Sequence, residues 1–161
     1  TFEGTLNNFD SEHGMANSRA RLRMTTLYQV AAANNGIVVG TGNKVEDFGV
    51  GFYTKYGDGG VDISPIADLM KSEVYEIARA LNINKEILDA PPTDGLWDDG
   101  KTDEQQIGAT YDELEWAMIN KKTKNLTNRQ EEVIKIYNRF HAANKHKMIP
   151  IPVCIIPENL K

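Results

Sequence analysis

Between Gly49 and Asp62 the chain reads GVGFYTKYGDGGVD, which brings a lysine, two aspartates and a run of glycines close together. Lysine offers positive charge to an anion, aspartate accepts hydrogen bonds from hydroxyls, and glycines let the backbone turn tightly, so the stretch fits one wall of a nucleotide site. A polar hairpin turn with an incidental ion pair fits the same residues. In LMKSE, Lys71 stands at a predicted helix start, where the macrodipole disfavours a cation unless an anion such as phosphate lies nearby. SRARLRM places Arg19 and Arg23 one helical turn apart, with Arg21 projecting from another side; in isolation this is a solvated helix face. Lys145, His146 and Lys147 form a second basic cluster, whose plain reading is a solvated tail.

These groups need elements to hold them. Residues Thr1 to Gly14 lack periodicity and read as loop or as the ragged start of something longer, whereas Ala20, Met24, Leu27, Tyr28, Ala31 and Ala32 recur at helical spacing from Ala16 until Asn34, Asn35 and Gly36 stop the pattern. The β-branched run at Ile37 to Gly40 then predicts a buried parallel-type strand opening into a glycine-rich loop. ISPIADL leads into a second helix with Val74, Ile77, Ala78 and Leu81 on one face, and a short segment at Glu86 to Leu88 ends before Pro91 and Pro92. TDGLWDDGKT reads as an exposed loop. Two capping boxes, Thr110 with Glu113 and Thr127 with Gln130, open the last two helices, and MIPIPVCIIP reads as an extended tail lying on another surface, a partner's included. The order of helix, strand and glycine-rich loop belongs to an α/β fold. With only one convincing strand, the chain reads as the C-terminal part of a larger domain.

Composition narrows the classes. The 161 residues suit one domain, and 40% hydrophobic with 25% charged residues is globular in character. A formal net charge of -5 argues against a generic nucleic-acid binder. Neither a membrane span nor a signal peptide is predicted, and the single cysteine, Cys154, fits a reducing compartment, so the expected location is cytoplasmic. HExxH does not occur, VVGTGNKV fails as a dinucleotide fingerprint because Val45 stands in place of the third glycine, and DGGVD fails as a calcium loop. The three histidines are too far apart in sequence for a metal motif, and His141 reads as a hydrogen-bonded core or boundary residue.

ARLRM at Ala20 to Met24, GTGNKVED at Gly40 to Asp47, FYTKYGDGGVDISPIADLMKSEVY at Phe52 to Tyr75, PPTDGLW at Pro91 to Trp97, TDEQQIGATYDELE at Thr102 to Glu115 and His146-Lys147 occur in the order found in NAD synthetases. This ordered set resembles the ammonia-dependent type of that family. The resemblance implies an adenine-nucleotide α-hydrolase-like fold, with a Rossmann-like parallel sheet and flanking helices, incomplete at its N-terminus; residues 1–161 would be the C-terminal part of a single synthetase domain. It also implies an ATP-dependent amidation: the carboxylate of deamido-NAD is adenylated, pyrophosphate leaves, and ammonia attacks the acyl-adenylate to give NAD and AMP. Magnesium is the implied cofactor and a homodimer the implied assembly.

By motif match, the resemblance implies that Thr41, Lys71 and Thr93 contact ATP, with Lys71 also catalytic in steadying the phosphates. Glu46 would hold the magnesium ion, and Arg21, Lys55, Asp62, His146 and Lys147 would hold deamido-NAD. The interval from Glu46 to Lys55 is one residue longer than the family pattern, which leaves Asp47 as an alternative metal ligand, and Met148 stands where the family often has a basic residue. The family's SGGxDS loop is absent from these 161 residues, so the chain alone is expected to be inactive or nearly so. Two alternatives remain: another adenylating amide ligase of the same fold, and a non-catalytic nucleotide-binding or dimerisation module.

Overall fold

Ser11 sets where the first long helix begins. In the computed structural model, which describes residues 2–6, 8–9, 11–97, 100–120 and 123–161, Ser11 is extended and its hydroxyl accepts from the Gly14 amide at 3.1 Å. This cap starts α1 (Glu12–Ala33) four residues ahead of the Ala16 expected from periodicity, and a 3-10 turn at Glu3–Leu6 precedes it. At the other end Asn35 is left-handed, with φ 52°, and the Gly36 amide closes back on Ala31 O at 2.8 Å. Only Ala16 and Ala20 of α1 are buried; Leu27 and Val30 stay more than half exposed.

The strand expected at Ile37 to Gly40 is reduced to one parallel bridge between Val39 and Ile63. Gly40 N donates to Ile63 O at 2.7 Å and Asp62 N to Val38 O at 2.9 Å, so residues 38–40 run alongside 62 and 63. An isolated pair of short extended segments is marginal by itself, and no third segment pairs with this one among the described residues. Ile37 and Val39 accordingly remain 59% and 50% exposed instead of buried. Among the described residues the fold is helical and no parallel sheet is formed.

Asn43 then caps a π-helical turn at Lys44–Val50. Its buried side-chain oxygen accepts from Val45 N and Glu46 N, both at 3.1 Å. Next come α2 (Lys71–Ala80), α3 (Lys85–Leu88), α4 (Asp103–Ile107), α5 (Tyr111–Ile119) and α6 (Asn128–Met148). The capping boxes at Thr110 and Thr127 form as expected. A third, Thr102 with Gln105, has the same sequence signature and opens α4 directly after the stretch that reads as loop. Asp98 and Asp99 of that loop lie outside the described residues, as does Thr1 at the start of the chain.

The core lies where the π-helical turn meets α5 and α6. Val45, Val50, Ile107, Leu114, Ala117, Val133 and Tyr137 are buried in it. His141 is the boundary residue the pattern predicts: its ring stacks on Tyr137 with centroids 5.7 Å apart, and Nδ1 lies 2.7 Å from Gly49 O. Helix α6 continues to Met148, which places His146 and Lys147 on its last turn and not in a tail. The tail proper, 149–157, leaves the helix with Ile149 extended and carries no regular secondary structure, with Ile151, Val153 and Ile155 exposed.

Candidate functional site

The glycines of YGDGG are required by close approach. A Cβ on Gly57 would come within 2.9 Å of Ala20 Cβ and Thr54 Cβ, and one on Gly59 would meet the Tyr53 ring at 2.4 Å. The turn therefore packs on α1, and Thr54 Oγ1 fastens it to Asn17 Oδ1 at 2.6 Å. The stretch is a turn, and it presents polar groups on a surface built by α1 and α6.

Residues far apart in sequence meet on that surface. Arg21 donates from Nε and Nη2 to Lys55 O at 3.4 and 3.3 Å, and Lys55 Nζ donates to His146 O at 2.7 Å. Lys147 Nζ is half-buried and donates to Gly51 O and Tyr53 O, while Tyr53 Oη donates back to Lys147 O at 2.6 Å. Burial lowers the Lys147 pKa, with Asp58 acting in the opposite direction. Asp62 takes a structural position: its carboxylate accepts from Val38 N at 2.7 Å and Tyr28 Oη at 3.2 Å.

Beside Lys147 lies a cavity of about 200 Å³ lined by Gly42, Asp47, Tyr53, Asp58 and Val61 among others. Ligand clefts commonly measure about 300–1,000 Å³, so this one has room for part of a nucleotide. Burial, reinforced by Glu46 and Asp58, pushes the Asp47 carboxyl up to about 6. Asp58 is also raised, chiefly by burial, although it accepts a hydrogen bond from Thr54 N at 2.9 Å. The Tyr53 phenol is pushed up to about 12 by burial and these two carboxylates. Tyr53 and Asp58 were not singled out in the sequence; their place in the same motif as Lys55 is the signal that marks them.

A second cluster forms at the head of α2. Lys71 Nζ pairs with Glu46 Oε1 at 2.8 Å, with both side chains less than one fifth exposed, and lies 4.7 Å from the Tyr111 ring centre. Tyr111 Oη donates to Asp103 Oδ2 at 3.3 Å. The anion that accommodates a lysine at this helix start is thus Glu46, where the sequence pointed to phosphate. Two amides at this helix start are also occupied: Ser72 N of α2 donates to Glu115 Oε1 at 2.9 Å and the N-cap Met70 N to Glu73 Oε2 at 2.7 Å.

The donor chemistry here fits a hard cation in one respect. Asp103 Oδ1 is buried with no hydrogen-bond partner among the described residues, and the Asp103 pKa is raised by burial, then by Asp94 and Glu46. Among the described residues no group of three His, Cys, Asp or Glu side chains is placed to hold a metal ion. An ion held by Glu46 would therefore take most of its oxygens from phosphate and water, as magnesium commonly does. Thr41 and Thr93 are exposed, and neither side chain is hydrogen-bonded among the described residues, so neither is joined to the Lys71–Glu46 pair.

Solved structures give the class. The chain superposes on the NMN synthetase from Francisella tularensis with a TM-score of 0.81 at 35% identity, covering 98% of this chain and 61% of that one. It also superposes on the NH3-dependent NAD synthetase from Campylobacter jejuni in complex with nitrate, with a TM-score of 0.70 and coverage of 95% and 61%; at 22% identity that likeness concerns the fold alone. The fold is that of the NAD and NMN synthetases. The NAD synthase family model matches residues 1–150, and the chain belongs to that family. A curated relative, the NH(3)-dependent NAD(+) synthetase of Alkaliphilus oremlandii, is 45% identical over 139 residues, which is 85% of this chain and 52% of that protein. The chain thus spans about half the length of the curated relatives it matches. No described helix is long and apolar enough to cross a membrane.

Proposed function

We propose that this chain forms the deamido-NAD-binding part of an enzyme that amidates deamido-NAD to NAD with ATP and ammonia, releasing AMP and pyrophosphate. The observation that carries the reading is the chain of contacts from Arg21 to Lys55 to His146, which joins motif residues 34 and 91 positions apart on one surface. Arg21 and Lys55 supply fixed positive charge for the pyrophosphate of the dinucleotide, while Asp62 and the cavity beside Lys147 accept its hydroxyl groups. Lys71 steadies the ATP phosphates once they draw it from Glu46, and Thr41 and Thr93 offer free hydroxyls to the same substrate. Magnesium, held by Glu46 with the unpartnered oxygen of Asp103 nearby, supplies charge neutralisation on the phosphates when bound. The reading includes a cytoplasmic location and a homodimer, and the uncovered apolar residues of α1 and the tail support the homodimer.

Titration of the chain with deamido-NAD tests this. Binding is expected, weakened about tenfold by R21A or K55A through loss of a charge-assisted contact. Binding that neither substitution alters contradicts the assignment.

A second reading is favoured by one finding, the 35% identity and TM-score of 0.81 to an NMN synthetase. In that case nicotinate mononucleotide is the acid amidated. Competition decides: if nicotinate mononucleotide displaces deamido-NAD at equal or lower concentration, the second reading replaces the first.

A further inference from the structure

The segment carrying Thr93 is held to α1 through its main chain. Arg23 Nη1 donates to Asp94 O at 3.0 Å and its Nη2 to Gly95 O at 2.9 Å. One helical turn earlier, Arg19 Nη1 donates to Leu96 O at 2.7 Å. The Trp97 ring stacks on His13 with centroids 6.1 Å apart. Along α1 from His13 to Arg23 the partners run backwards from Trp97 to Asp94, so the segment lies antiparallel to the helix.

Successive carbonyls of an extended chain point in opposite directions and could not both face one guanidinium. Here they converge because Gly95 is left-handed, with φ 59°, and because Asp94 Oδ1 accepts from Leu96 N at 2.9 Å to close a local turn. The planar fork of arginine matches two such acceptors, whereas lysine is a point charge. On the other side of Thr93, Pro92 O accepts from Asp103 N at 3.0 Å. The backbone of Thr93 is thus fixed on both flanks while its side chain stays exposed and without a hydrogen bond among the described residues.

We propose that Arg23 is a positioning residue for ATP binding: by gripping the carbonyls of Asp94 and Gly95 it fixes Thr93 so that its hydroxyl is presented to the nucleotide. This rests on the reading of Thr93 as an ATP contact given above. Arg21, between the two clamping arginines in sequence, points to the Lys55 side and serves the other substrate.

The test combines hydrogen exchange with ATP and deamido-NAD titrations of the chain carrying R23A, R23K, T93A, or R23A with T93A. With R23A, amide exchange at 93–97 is expected to rise about tenfold and ATP affinity to fall about tenfold, as loss of charged hydrogen bonds implies. Deamido-NAD affinity is expected to stay within about twofold, because the substituted group does not face that site. R23K, which keeps the charge but not the fork, is expected to fall between R23A and the unsubstituted chain, and the double variant to bind ATP no more weakly than either single. Unchanged exchange in R23A, full recovery of ATP affinity in R23K, or additive losses in the double variant each overturn the proposal. If the unsubstituted chain does not bind ATP, or T93A binds it normally, the Thr93 reading falls, and faster exchange in R23A then marks a purely structural clamp, overturning the positioning role. Should R23A not fold, R23K compared with R19Q carries the same test, with exchange at 93–97 and ATP affinity again expected to move together.

Discussion

Replacing Lys71 by methionine removes one partner of an ion pair that is neither fully buried nor on the surface. Lys71 Nζ lies 2.8 Å from Glu46 Oε1, with side-chain exposures of 19% and 16%. Exposed pairs contribute about 0–1 kcal/mol, and removing one partner of a fully buried pair costs about 3–5 kcal/mol, so K71M is expected to cost about 2 kcal/mol. For a domain of this size that lowers Tm by about 4–8 °C. The converse change, E46Q, leaves the ammonium over the face of Tyr111, 4.7 Å from its centre, and should cost less than K71M by about 0.5 kcal/mol. Because the two side chains meet directly, the double variant should be more stable than the sum of the single effects implies, by roughly 1 kcal/mol. Urea unfolding of all four proteins at constant m measures each quantity. Single variants within about 0.5 kcal/mol of the parent, or effects that add, would refute the placement of Glu46 as the anion that accommodates Lys71.

The Asp47 carboxyl is raised to about 6 in the folded chain, so its favourable contribution is complete below the unfolded value near 4 and is lost as pH rises through 6. D47N removes that loss: its Tm advantage over the parent should grow between about pH 4 and pH 6 and then level off, and a constant difference across this window contradicts the burial argument. Gly51 has φ 63°, and a Cβ there would lie 2.5 Å from Asn144 Cβ and 2.7 Å from Met148 Cε. G51A should therefore cost about 3 kcal/mol in chemical unfolding, from the left-handed backbone and overpacking together. T102A removes the cap of α4 and should cost about 1 kcal/mol, read in the same assay.

Helices with strong local signals were legible in the sequence, as the boxes at Thr110 and Thr127 illustrate. Helix α4 carries the same T-x-x-Q signature but is only five residues long, too short for the apolar periodicity that marks a longer helix. The β-branched run at 37–39 has strand preference but forms only a single bridge and stays exposed, because strand pairing and burial depend on neighbours that local sequence does not specify. Within the site, the motif order identified Arg21, Lys55 and His146, which meet, and Glu46 and Lys71, which pair. What it could not reveal was long-range backbone recognition: Lys147 gripping Gly51 O and Tyr53 O, or Arg23 gripping Asp94 O and Gly95 O, depends on carbonyls that every residue possesses. The burial that raises Asp47, Asp58 and Tyr53 is likewise a property of the packed turn and not of its composition.

The central claim is tested most directly by measuring NAD and AMP formed from deamido-NAD, ATP, magnesium and ammonia. The assay compares the 161-residue chain with a fusion in which it replaces the matching part of the Alkaliphilus oremlandii relative. The account predicts equal amounts of NAD and AMP from the fusion, loss of both on K71M, and no turnover by the chain alone, which contains no SGGxDS loop. A folded fusion that binds deamido-NAD but makes no NAD, or turnover by the chain alone, would contradict it.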